Sequence, residues 1–162
     1  METPEFVPPE PPLEPPEFDD VQPPPRPIGP PPGLGDRLTW VSGLVLALSA
    51  FMGWYTGSGE GLRIAVLGWD TGALGKLVFF VGLLLIAIVL LRELGIELPA
   101  TVPESLLVIA LGALATIFVL IRVITIPEDL LPANGRGAGL WIALVAAVVA
   151  VGAGVVRAGE ER

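Results

Sequence analysis

With 162 residues, 52% of them hydrophobic and only 16% charged, the chain has room for one modest domain and too little polar surface to solvate it as an ordinary water-soluble fold. A formal net charge of -8 argues against nucleic acid as a partner. Cysteine and histidine are both absent, which excludes thiol nucleophiles, disulfides, imidazole bases and the usual zinc or haem ligands, so no cofactor is expected.

The first 37 residues stand apart, because 14 of the 18 prolines fall there, in runs such as Pro23-Pro24-Pro25 and Pro30-Pro31-Pro32. Proline fixes φ and donates no backbone hydrogen bond, so this segment is predicted to be a disordered or polyproline II tail. It is acidic, and Pro4-Glu5-Phe6 returns as Pro16-Glu17-Phe18, the pattern of a low-complexity tether. Pro23-Pro24-Pro25-Arg26-Pro27 has the look of a ligand for aromatic-lined grooves, although a solvated spacer is the simpler reading. The tail holds no apolar core of the kind a cleavable signal needs, so the first apolar segment is expected to serve as signal and anchor together.

Four apolar stretches follow, at Leu38–Tyr55, Leu74–Leu91, Ser105–Ile124 and Ala138–Val156. Each is close to the roughly 20 residues that a helix rising about 1.5 Å per residue needs to cross about 30 Å of hydrocarbon. The predicted fold is all-α: an integral membrane four-helix bundle over residues 38–158, behind a disordered proline-rich tail over 1–37 and before a short C-terminal tail over 159–162. A buried helical hairpin of a soluble protein is the competing reading, but the stretches lack the polar faces it would show to water. Trp40, Trp54, Tyr55, Trp69 and Trp141 stand at the predicted span ends, where amphipathic rings sit at headgroup level. Thr101-Val102-Pro103-Glu104 reads as a capping box opening the third helix, and Ile126-Pro127 stops it. Between the first two spans, Leu62–Leu67 is too short to cross and too apolar for a free loop, which suggests an interfacial segment or a short strand. Gly72-Ala73 and Arg92 recur as Gly137-Ala138 and Arg157 at an offset of 65 residues, as tandem hairpins would, though small apolar alphabets also produce such matches by accident.

An even number of spans puts both termini on one side. Arg26, Arg37, Arg92, Arg157 and Arg162 fall on that side, against Arg63, Lys76, Arg122 and Arg136 on the other. This bias favours cytoplasmic termini in the plasma membrane.

Two polar residues stand out as candidate sites. Arg122 is charged inside the last part of a span, where it either snorkels to pair with Glu128 or Asp129 or marks a working site. Asp70 precedes the second helix, where a carboxylate caps backbone amides or handles a cation. Small residues at helical spacing, Gly43, Ala47 and Ala50 in the first span and Ala146, Ala150 and Gly154 in the fourth, let helix backbones approach closely, within the chain or between copies. The bilayer is the first expected partner, with other membrane proteins or a second copy after it.

Phe51, Gly53, Trp54 and Tyr55 at the end of the first span, then a glycine-rich loop, then Gly68-Trp69-Asp70 opening the second, resemble a broad group of small four-span bacterial membrane proteins, many of them actinobacterial. The resemblance covers residues 38–158 and implies topology without activity. The leading functional expectation is a non-enzymatic membrane anchor or scaffold. A small transporter or channel subunit is the alternative, and it would need inward polar groups at mid-depth, where only Ser42, Ser49 and Thr116 are on offer. An intramembrane hydrolase would need a nucleophile beside a base, and Lys76 and the acids lie at span ends.

A proline-dense acidic segment buries little surface. Deleting residues 1–32 is therefore expected to leave the thermal unfolding midpoint in detergent nearly unchanged, and a large drop would show the tail packed on the bundle.

Overall fold

The computed structural model describes residues 32–59, 62–96, 103–125 and 133–160. The expected disorder of the tail over residues 1–31, Thr101 of the expected capping box and the stretch from Ile126 to Pro132 lie outside these described residues. Helix α1 runs Leu34–Ser49, α2 Ala73–Glu93, α3 Glu104–Ile124 and α4 Ala138–Glu160. Strands β1 (Gly53–Gly59) and β2 (Leu62–Leu67) and a 3-10 turn (Gly68–Thr71) connect α1 to α2, and β3 (Ala133–Arg136) precedes α4. The helices contact one another as a ring, α1 to α2 to α3 to α4 and back to α1, which is a four-helix bundle.

Helices α2, α3 and α4 are each long and apolar enough to cross a membrane, which supports a membrane location. They carry apolar residues all round, and Phe80, Leu84, Ile117, Val145 and Val148 remain exposed on the outer surface, as side chains that meet lipid do. Helix α1 differs. Its 16 residues rise about 24 Å, short of a bilayer core taken alone.

Two expectations need correction. The fold is not all-α, since a three-stranded antiparallel sheet in the order β2-β1-β3 closes one end of the bundle. The first apolar stretch is also not one helix over 38–55: α1 starts at Leu34, within the segment expected to be tail, and stops at Ser49. Asp36 explains the early start, because its carboxylate accepts the Gly33 N–H at 3.3 Å just before the first turn. Past Ser49, the run Trp54-Tyr55-Thr56 is made of strand formers and pairs with Ala65-Val66 on one side and Gly135-Arg136 on the other. Trp54 and Tyr55 are therefore fully buried in the protein, with Trp54 Nε1 donating to the Ser49 carbonyl at 2.8 Å. The segment Leu62–Leu67 takes the strand reading.

The core is built from Leu46, Val78, Leu85, Val108, Val119 and Leu140, with the alanines of α4 filling the centre. The small-residue stripes face inward and are used within the chain: Ala47, Ala50, Ala146 and Ala150 are buried. A Cβ on Gly154 would lie 2.6 Å from Ile109 Cγ1 and 2.9 Å from its backbone nitrogen, so α3 and α4 touch there main chain to main chain. Between α1 and α2, a Cβ on Gly82 would lie 2.7 Å from both Ala47 N and Gly43 O.

Neither of those backbone atoms can move aside cheaply. Gly82→Ala is expected to cost about 1–3 kcal/mol through the forced separation of α1 and α2. Gly152→Ala, where nothing lies within 4 Å, should be neutral or stabilising by about 0.5–1 kcal/mol. Thermal melts of the two variants side by side check both signs.

Candidate functional site

Because the four helices alternate in direction, the N-termini of α1 and α3 share one end of the bundle with the C-termini of α2 and α4. Each helix contributes one member of an ion-pair network at this end. Asp36 lies in the first turn of α1, Glu104 in the first turn of α3, Arg92 in the last turn of α2 and Arg157 in the last turn of α4. Every one of them therefore complements the dipole of its own helix before any pairing is considered.

The pairing is continuous. Asp36 Oδ1 lies 3.0 Å from Arg92 Nη1 and 3.2 Å from Arg157 Nη1, and Arg157 Nη2 donates to Glu104 Oε2. Arg157 is 0% exposed and Asp36 is 4% exposed, so the centre of the network is out of solvent, while the Arg92 side chain at 37% stands at its edge. Two carboxylates against two guanidinium groups leave the set neutral. A further carboxylate, Glu160 at the end of α4, accepts the backbone N–H groups of Leu34 at 3.0 Å and Gly35 at 3.3 Å. These are orphan donors of the first turn of α1, satisfied by an anion that is distant in sequence but lies at the same end of the bundle.

The sheet end is closed differently, by hydrogen bonds to backbone. Tyr55 Oη donates to the Arg122 carbonyl at 2.7 Å, and Arg136 Nε donates to the Val123 carbonyl at 2.6 Å. Both acceptors belong to the last turn of α3, which has no intrahelical donors for them. Burial raises the pKa of the Tyr55 phenol above its ordinary value near 10, against the opposing pull of the Arg122 and Arg136 charges, so the proton it donates is retained. On the flank of the same end, Phe51 stacks on Trp69, Phe79 meets both edge-on, and Lys76 Nζ sits 5.5 Å above the Trp69 ring.

The two residues singled out in the sequence both fall at the sheet end, and no ion pair joins them among the described residues. Arg122 donates to the Thr71 carbonyl; Glu128 and Asp129, its expected partners, lie outside the described residues. Asp70 is exposed in the 3-10 turn and does not cap α2, whose N-cap is Gly72 at φ 97° with no side-chain bond. That positive φ lies in the region L side chains rarely adopt, so glycine takes the cap position. Pro103 rather than Thr101 is the N-cap of α3, and Glu104 is drawn to Arg157.

Ser42, Ser49 and Thr116 turn their hydroxyls onto their own helix backbones. Ser42 donates to Thr39 O at 3.1 Å, Ser49 to Leu46 O at 2.6 Å and Thr116 to Gly112 O at 2.8 Å. No group of acids able to hold a metal ion occurs among the described residues. No protein family, curated protein or solved structure matches this chain.

The four-ion network was missed in the sequence because its members are far apart along the chain. Its signal was present as an acid opening α1 and α3 and an arginine closing α2 and α4.

Removing one partner of a buried pair leaves the other charge uncompensated. Arg157→Leu and Asp36→Ala are each expected to lower stability by about 3–5 kcal/mol. Arg92→Ala should cost clearly less because its side chain is partly solvated, and the order of the three unfolding midpoints is the check. Arg122→Lys keeps a donor for the Thr71 carbonyl and is expected to be nearly silent in the same assay, whereas Arg122→Leu, which removes that donor, should be the weaker of the two.

Proposed function

We propose that the chain is a multi-pass plasma-membrane protein with four spans and cytoplasmic termini, acting as a non-enzymatic anchor or scaffold. The observation that carries this reading is how the polar groups are used. Ions pair at one end of the bundle, and the hydroxyls of Ser42, Ser49 and Thr116 are spent on carbonyls of their own helices. What lines the interior between is Val, Leu, Ile and Ala. A permeation path needs inward polar groups free to replace a solute's hydration shell, and a hydrolase needs a hydroxyl held by a base rather than by a carbonyl. The same use of the hydroxyls weighs against the transporter and hydrolase alternatives.

The fourth span is supported by where α1 begins and ends. Asp36 meets Arg92 and Arg157 at one end, and at the other the Ala50 carbonyl accepts the Trp69 N–H at 2.7 Å, just before α2 starts. The short helix is thus matched at both levels to neighbours that are long enough to cross.

The chain has no cysteine, so single cysteines report topology directly. A membrane-impermeant thiol reagent added outside intact cells is expected to label Ser58→Cys and to spare Thr3→Cys and Arg162→Cys. Labelling of only one terminus would leave three spans, and labelling of both would invert the protein. For the scaffold role, vesicles reconstituted with the pure protein should show no added solute or ion flux, and crosslinking in the native membrane should capture a stoichiometric partner. A flux abolished by Ser42→Ala or Thr116→Val would replace the scaffold with a transporter.

A further inference from the structure

A groove of about 560 Å³ opens between α1 and α2 at the end where the four ions meet, within the size range of about 300–1,000 Å³ usual for ligand sites. Its walls change character with depth. Because α1 and α2 are antiparallel, moving inward means rising numbers on one and falling numbers on the other. Arg37 and Glu93 form the rim, Trp40 and Leu90 lie about a turn inward, and Val41 and Val89 complete the wall below. The order is charge, then an indole at the level where such rings favour the headgroup region, then hydrocarbon.

The rim charges are available. Arg37 and Glu93 are exposed, one of each sign on adjacent helices, and neither forms an ion pair among the described residues. Asp36, which also borders the groove, is already committed to Arg92 and Arg157.

We propose that this groove is a binding site for an aminophospholipid, a lipid whose headgroup carries one phosphate and one primary ammonium. The phosphate is met by the Arg37 guanidinium, the ammonium donates to the Glu93 carboxylate, and the acyl chain lies along Trp40, Leu90, Val41 and Val89. Charge complementarity selects this occupant. An anionic headgroup lacking an amine would also meet Arg37, but it would leave Glu93 unpaired beside its negative charge. A choline headgroup has no N–H to donate to the carboxylate, and a single indole does not make the aromatic enclosure that quaternary ammonium groups favour. The inference rests on bilayer placement of the bundle but not on the scaffold role.

The test uses the full chain in mixed micelles, with lipid retention read by native mass spectrometry and the thermal shift read in parallel. Dioleoyl phosphatidylethanolamine, phosphatidylcholine and phosphatidylglycerol are offered at equal mole fraction. Phosphatidylethanolamine is expected to be retained about tenfold better than either competitor, the factor that one charge-assisted hydrogen bond supplies. Glu93→Gln should reduce that preference to near unity, and Arg37→Gln should weaken retention of all three lipids. Both positions are exposed, so the variants should melt with the wild type in lipid-free detergent, which separates loss of the site from loss of the fold. Equal retention of the three lipids would mean annular contact only, a preference for phosphatidylglycerol would mean a simple anion site at Arg37, and an unchanged preference in Glu93→Gln would remove the ammonium contact. Each of these overturns the proposal. A failed topology experiment with the ethanolamine preference intact would separate the fate of this site from that of the four-span reading.

Discussion

Arg157 holds a guanidinium where no solvent reaches it. Taking such a charge out of water costs several kcal/mol unless anions meet it at close range. Two do so, Asp36 from α1 and Glu104 from α3, and the excess on Asp36 is offset in turn by Arg92 from α2. Each of the four helices is thereby tied to the others through a single neutral set. Sliding any helix by one turn, about 5.4 Å, would strand an ion in an apolar wall. The helix dipoles act in the same direction, with acids at N-termini and arginines at C-termini. Apolar packing brings the helices together without choosing a register, because Ala and Val faces are much alike at successive turns; the ions supply what that packing leaves open.

At the other end the chain solves a different problem with different groups. The last carbonyls of α3 have no helical donors and need partners from outside the helix. Tyr55 and Arg136, carried on neighbouring strands, reach those carbonyls, and Trp54 fills the space beneath the sheet while bonding to the Ser49 carbonyl. The sheet is small, yet it holds the end of α1, the end of α3 and the approach to α4 in one hydrogen-bonded unit through the pairing of β1 with β2 and β3. One end of the bundle is thus secured by charge and the other by backbone.

How much of this could be read from residues alone depended on the range over which each signal acts. Helices α2, α3 and α4 were legible because apolar length is a local property, and the structure starts them within a residue of the expected positions. The end of the first stretch is ambiguous in sequence because Trp54 and Tyr55 look alike as an interfacial belt or as buried residues of a strand. Only pairing with β2 and β3, the latter separated by nearly half of the chain, distinguishes the two. Arg122 was conspicuous because it is charged in an apolar run, but its partner is the Thr71 carbonyl, a group that every residue possesses and no sequence advertises. Arg92 and Arg157 had been weighed as topology markers, one charge at a time. Their pairing with Asp36 and Glu104 depends on a helix arrangement that composition does not specify.

The cap on α1 sets an order of events. Leu34 and Gly35 open α1, and the carboxylate that holds their amides belongs to Glu160, 126 positions after Leu34. During synthesis α1 leaves the ribosome first and is the shortest of the four helices, so it waits with bare amides and an unpaired Asp36 while the others are made. Its first ionic partner, Arg92, arrives with α2; its second, Arg157, and its cap arrive only with the last turn of α4. The earliest of these helices to emerge is the last to be fastened, and loss of the final turn would leave the rest of α4 in place yet bare the first amides of α1 again and leave Asp36 with Arg92 alone.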